Sequence, residues 1–272
     1  MKFGVCVNML RQSTTVGSEF INSVAECGYD YVELPLGEMM LLCDSEFQAL
    51  KKELRAAGIP CYACNNFFCR GIRLVGPDVD RVLIQDYYAR AIERAGELGA
   101  RRIVFGSPWA KEIPVGFSKK EAKRQMVRLC REIGALAEKY GIFVVLEHNN
   151  KTETNYLNQL WEVGELADAV SHPNICLLVD YYHLCMEDEP MESIVRYGKN
   201  IQHAHFARHQ GRGYPRDLQE DQRYLPFRNA LREVQYDQTI SIEAYSENFA
   251  QDGPATLCFF RSLFAGASDL SL

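Results

Sequence analysis

FVVLEHNN (143 to 150), ICLLVDYYH (175 to 183), IQHAHFA (201 to 207) and TISIEAY (239 to 245) are four short apolar runs in the second half of the chain, and each ends on a possible metal ligand. Runs of four to eight aliphatic and β-branched residues read as buried strands. Their end residues, Glu147, Asp180, His205 and Glu243, are types that a dry interior excludes unless they are paired or bound to an ion. Three carboxylates and one imidazole meeting at a point, with room left for substrate oxygens, suit one divalent ion such as Mn, Co, Mg or Zn. Four consecutive strands of an open sheet would not bring these groups to one point. In a closed barrel the C-terminal ends of all strands ring one mouth.

Working outward, strand and helix alternate along the whole chain. Residues 2 to 8 read as a first strand and 17 to 27 as a helix ended by Gly28. Residues 31 to 36 form the second strand, and 44 to 58 a helix with Asp44 placed to cap it and Gly58 to stop it. A third strand over 59 to 65, a helix over 78 to 98 and a fourth strand over 102 to 106 follow. The helix over 118 to 141 opens on Ser118 with Glu121 three residues later, the spacing of a capping box. Helices near 157 to 170, 189 to 198, 220 to 234 and 253 to 266 separate and close the four ligand-bearing runs. Eight strands and eight helices without a composition break predict an α/β fold, a single (β/α)8 TIM barrel spanning residues 1 to 272. A doubly wound sheet is the alternative, but no GxGxxG follows the first strand.

Composition bounds the function. Hydrophobic residues make up 47% and charged residues 24% of the 272, which suits a globular chain and no membrane span. The start MKFGVCVN has no signal-peptide core, so a cytoplasmic location is expected. A formal net charge of -6 argues against nucleic acid as a partner. Ten cysteines without a secretory signal read as reduced thiols. Cys61 and Cys64 form a CxxC, but on a strand positions three apart face opposite ways, so core cysteines are expected rather than a zinc knuckle or a redox pair.

The motifs LEHNNKTE (146 to 153), DYYH (180 to 183), HAH (203 to 205) and ISIEAY (240 to 245), with GYDYVEL (28 to 34) and VFGSPW (104 to 109), resemble the xylose isomerase-like TIM-barrel superfamily. Within it they are most similar to ketose 3-epimerases of the D-tagatose and D-psicose type. The resemblance implies that Glu147, Asp180, His205 and Glu243 bind one divalent metal, and that His183 and Glu153 hold substrate hydroxyls. It also implies a substrate-binding arginine after the HxH strand. Arg208 and Arg212 compete for that role, and Arg212 fits the spacing better. The family pattern has Asn-Arg where this chain has Asn150 and Lys151, a departure that bears on the substrate. The superfamily often forms homodimers or homotetramers.

The implied chemistry is the movement of a proton on carbon next to a carbonyl. It needs a base on one face, an acid on the other when the centre is inverted, and a cation to stabilise the enediolate. Glu147 and Glu243, on strands five and eight, would flank a small-molecule sugar from two sides. Glu33 ends the second strand and either touches substrate or orients a ligand; Asn8 and Asn65 at comparable strand ends would contact sugar hydroxyls. His203 reads as a support inside the barrel, and His148, His172 and His209 as surface or loop residues. Phe67, Phe68, Trp109 and Tyr181 read as core or lid packing, or as the wall a sugar packs on, and 106 to 116 as part of a lid. Competing readings are a dehydratase of the inosose type, an aldose-ketose or hydroxypyruvate isomerase, an apurinic-site endonuclease and a non-catalytic sugar-binding barrel. The endonuclease needs further ligands on the early strands, where no histidine stands at a strand end.

Overall fold

A computed structural model describes residues 1–11, 16–18 and 21–265. Eight strands close a parallel barrel: β1 (Lys2–Cys6), β2 (Tyr31–Pro35), β3 (Cys61–Asn65), β4 (Arg102–Phe105), β5 (Phe143–Glu147), β6 (Ile175–Asp180), β7 (Ile201–Phe206) and β8 (Thr239–Ile242). Each strand pairs with its neighbour in sequence and β8 returns to β1, so the doubly wound alternative falls. The helices that follow the strands are α1 (Ile21–Cys27), α2 (Asp44–Ala57), α3 (Arg81–Leu98), α4 (Lys119–Lys139), α5 (Leu160–Val170), α6 (Glu192–Tyr197), α7 (Tyr224–Glu233) and α8 (Phe249–Phe264).

Two expectations about element ends are corrected. The helix expected from residue 17 begins at Ile21, and Val16–Ser18 instead pairs antiparallel with Met9–Arg11 in a small ribbon. Gly17 disfavours a helix and Val16 favours a strand. The cap of α2 is Cys43, whose backbone N–H donates to Glu46 Oε2 at 2.7 Å, so Asp44 is the first helical residue. Gly58 does end that helix, in the left-handed region at φ 67°. Ser118 Oγ accepts from the Glu121 N–H at the start of α4.

Alternation along the strands sorts the core into two layers. Ile103, Val144, Leu146, Leu177 and Val179 face the helices and join the large outer cluster, whereas Val104, Val145, Cys176 and Leu178 form a separate small cluster. The rest of the interior is polar: Tyr31, Glu33, Arg102, His203 and Ser241 are all buried. Tyr31 reaches across to Ser241, O to O at 2.8 Å. That crossing needs Gly4, where a Cβ would lie 2.2 Å from the tyrosine ring.

Two irregularities set the phase of the inward faces. Val32 pairs with Cys61 but Glu33 with Ala63, so Tyr62 is an extra residue in β3. The bulge breaks the expected opposition of the CxxC: both cysteines are buried and their sulfurs lie 3.8 Å apart. All ten cysteines are free thiols. Likewise Leu177 pairs with Ile201 and Leu178 with His203, which makes Gln202 the extra residue that brings His203 and His205 into phase.

Candidate active site at the barrel mouth

Strand register places the ligand candidates side by side. Asp180 is the cross-strand partner of His205, and β5 and β8 deliver Glu147 and Glu243 on either side. One donor atom from each of Glu147, Asp180, His205 and Glu243 lies within 4.8 Å of the others. His205 Nδ1 is 3.2 Å from Glu147 Oε1 and 3.5 Å from Glu243 Oε2. Its other nitrogen, Nε2, is 3.0 Å from Glu33 Oε1 and therefore donates downward, which leaves Nδ1 for the cluster.

Glu33 is thus corrected as a substrate contact. It is completely buried, lies 2.8 Å from His203 Nε2 and accepts from Ser241 Oγ at 2.5 Å. Of the two roles open to it in the sequence, the orienting one matches this position. Burial favours the neutral acid, but His205 and His203 outweigh it and hold the Glu33 carboxyl well below its usual range. His203 in turn lies 2.7 Å from Thr239 Oγ1, an interior position as expected.

Asp180 also caps a helix. Its Oδ1 accepts from the N–H groups of Tyr182, at 2.6 Å, and His183, at 3.2 Å, capping the short helix Tyr181–Met186. Oδ2 is left facing His183 Nε2 at 3.6 Å. His183 is buried; its Nδ1 accepts the Asn150 backbone N–H at 3.3 Å, so the proton sits on Nε2, 3.9 Å from Glu153 Oε2. Burial and then Arg212 push its pKa well below the ordinary value, and the ring is neutral.

Arg212 occupies the place expected of the substrate arginine. One guanidinium nitrogen lies 3.1 Å from Glu153 Oε1, the other contacts Glu243 Oε2, and the group stacks 4.7 Å from the centre of the Tyr182 ring. Arg208 instead donates to Gln210 O and faces Glu220. The two glutamates differ sharply. Burial raises the Glu147 carboxyl to about 7. Glu243 is also penalised by burial, yet Arg212 and His205 bring it down to about 2.

Three further groups were not legible in the sequence. Lys111, from the loop after β4, is buried and its Nζ donates to the Glu147 carbonyl at 2.8 Å. Gly106 leaves room for the Glu147 carboxylate, since a Cβ there would lie 1.9 Å from Oε2. His148, expected at the surface or in a loop, is wholly buried, and its Nε2 accepts the Asp180 N–H at 3.3 Å. The His183 ring meets it edge-on, with ring centres 6.0 Å apart. Nothing in the sequence singled out Lys111, whose neighbour in the loop is Glu112.

Beside the cluster opens a cavity of about 460 Å³, within the ~300–1,000 Å³ of small-molecule sites. Asn8, Asn65, Glu147, Glu153, His183, Arg212 and Glu243 all line it. Asn65 Nδ2 lies 3.4 Å from Glu243 Oε1. Of the aromatic residues named above, Trp109 lines the cavity, whereas Phe67, Phe68 and Tyr181 are buried in the core. Within 106 to 116, Pro108–Lys111 forms a short helix beside the mouth.

Three carboxylates and one imidazole with its far nitrogen already engaged are a donor set that fits a divalent cation. Fold and site together define a (β/α)8 barrel with a metal-competent, sugar-sized mouth. The chain belongs to the xylose isomerase-like TIM barrel family, whose model matches residues 21–259. It is 28% identical over 158 residues to an L-ribulose 3-epimerase of Methylomonas sp., covering 57% of this chain and 54% of the relative. A D-psicose 3-epimerase of Ruminiclostridium cellulolyticum is 24% identical over 190 residues, 68% of this chain and 64% of its own. These matches thus span between about half and two thirds of the curated relatives' length. In fold, the chain superposes on the D-psicose 3-epimerase with D-tagatose from Clostridium cellulolyticum with a TM-score of 0.83 at 20% identity, over 97% of this chain and 99% of that one. No helix among the described residues is long and apolar enough to cross a membrane.

Proposed function

We propose that this protein is a divalent-metal-dependent sugar epimerase of the isomerase class, acting on a ketose or a ketose-like substrate at the carbon next to its carbonyl. The observation that carries the reading is the convergence of four donor atoms within 4.8 Å of one another beside a polar cavity of about 460 Å³. The relatives named for ketose epimerisation support it.

Glu147, Asp180, His205 and Glu243 would hold the ion. When bound, it would supply the positive charge that offsets the developing enediolate. Glu147 and Glu243 reach the mouth from β5 and β8, so a sugar between them meets a carboxylate on each face: one removes the proton and the other returns it. His183 offers Nε2–H to a substrate oxygen, because Asn150 fixes its tautomer. Arg212, stacked on Tyr182 and tied to Glu153, holds a hydroxyl at a fixed distance from Glu243. A cytoplasmic location goes with the sequence reading of the ten cysteines as reduced thiols.

The test is proton exchange in deuterated water with the metal-loaded protein and a panel of ketoses. Deuterium at C3 with inversion supports epimerisation. Entry at C1 or C2 indicates aldose-ketose isomerisation, and loss of water indicates a dehydratase. Absence of exchange across the panel, under each of Mn, Co, Mg and Zn, would remove the proposal.

A further inference from the structure

The cavity contains a cation that the proposed chemistry leaves unused. Arg70, in the loop after β3, lines it together with Arg212. The two arginines are in different states. Arg212 is neutralised by Glu153 and Glu243, whereas Arg70 is exposed and makes no ion pair among the described residues. Its guanidinium lies 4.9 Å from the centre of the half-buried Trp109 ring. Stacking of this kind fixes the plane of the fork and leaves its N–H edge open to a ligand.

Topology brings that free charge from other strands than the metal ligands. Arg70 and Trp109 follow β3 and β4, while the four ligand candidates stand on or just after β5 to β8. Lining residues contributed by β1 to β4 and the loops after them include Asn8, Asn66 and Ser107 but no carboxylate. The acids that line the cavity, Glu147, Glu153 and Glu243, all come from the other half. The lining is therefore divided by origin: the unpaired Arg70 comes with uncharged polar groups from β1 to β4 and their loops, and the carboxylates come from the other four strands and theirs. In a chain of net charge -6, a cation facing into the cavity is the local feature that offsets repulsion of an anion.

We propose that the substrate carries an anionic oxygen group, a carboxylate or a phosphate ester, at the end remote from the reacting carbon, and that Arg70 recognises it as a charge-assisted fork. This rests on the epimerase reading for the identity of the reacting end, but not for the anion itself. A guanidinium paired with such a group contributes on the order of ten- to a hundredfold in affinity.

Two measurements on the metal-loaded protein separate the claims. In the first, kcat/KM for deuterium wash-in is compared for a neutral hexulose, its 6-phosphate and the matching terminal carboxylate, in wild type, Arg70→Met and Arg70→Lys. The expected result is at least a tenfold preference of wild type for one of the two anions, abolished in Arg70→Met and largely kept in Arg70→Lys. The preferred arm identifies the anion. A neutral hexulose used as well as both anions, or a preference untouched by Arg70→Met, overturns the proposal. In the second, calorimetry compares a hexitol with its 6-phosphate and with the corresponding terminal carboxylate, none of which can be epimerised. An Arg70-dependent preference without turnover of any ketose would keep the anion subsite and discard the epimerase reading. Turnover of neutral ketoses without any such preference would discard the subsite alone.

Discussion

The two halves of the barrel mouth are built on opposite principles. On β5 to β8, Glu147, Asp180 and His205 are more than nine-tenths buried, and each is held by at least one protein partner at fixed distance. On β1 to β4, Asn65 and Ser107 are buried too, but three further lining residues, Asn8, Arg70 and Trp109, are exposed or half-buried. Groups that must hold a charge in one geometry are kept dry and tied down, because a low local dielectric strengthens their interactions and packing removes alternative rotamers. Groups that stay within reach of solvent exchange water for a ligand at little cost. On the proposed readings, the reacting end of a substrate would meet the tied-down arc, with His183 and Arg212 beside it, and its far end the solvated one.

The sharpest way to break this contrast is at the carboxylates. Glu147→Gln and Glu243→Gln are each expected to slow ketose proton exchange by about 10²–10⁴-fold while far-ultraviolet dichroism stays that of the wild type; exchange within a few-fold of wild type would remove the acid–base roles. One layer below, Glu33→Gln replaces the acceptor that orients His205 and is expected to weaken metal binding by about 10–100-fold, read by titration of the metal-free protein. An unchanged affinity would make Glu33 a packing residue.

Smaller effects follow from the groups that shape Glu147. Lys111→Met keeps the length of the side chain but leaves the Glu147 carbonyl without its donor, at a cost of about 1–3 kcal/mol in chemical denaturation. Gly106→Ala inserts a methyl group where the Glu147 carboxylate now sits, and kcat is expected to fall more than Tm, since the carboxylate end is easier to displace than the backbone. The smallest effect lies outside the mouth and serves as its control. Asp221 is raised by burial, but hydrogen bonds from Arg223 outweigh this and hold its pKa below the ordinary 3.8. Its contribution is present above that value and is lost as the pH falls through the folded-state pKa. Asp221→Asn should therefore lower stability near neutral pH by no more than about 1 kcal/mol, reduce the acid dependence, and leave proton exchange unchanged.

How much could be read in advance varied with the kind of residue. The four ligand candidates were visible because one charged group at the end of an apolar run has ordinary explanations, such as the cap Asp180 makes, but four in consecutive runs together call for a shared partner. Arg212 was separable from Arg208 only by a spacing resemblance, and its stacking on Tyr182 was not visible at all. His148 does lie in a loop, as expected, but its burial was not visible, because after a strand's last residue nothing in the sequence says whether the next side chain meets protein or water. Cys61 and Cys64 are core cysteines as expected, but not on opposite faces, because the bulge at Tyr62 shifts the phase of the alternation.

The sequence by itself determined the (β/α)8 alternation and the four groups at the rim, because strand and helix periodicity and the cost of burying charge act locally. Tertiary structure alone decided that Glu33 lies beneath His205, that Lys111 reaches the back of Glu147 and that Arg70 is left without an acid. Those outcomes depend on which distant side chains share a few ångströms of space after the ring closes, and one extra residue in a strand is enough to change them.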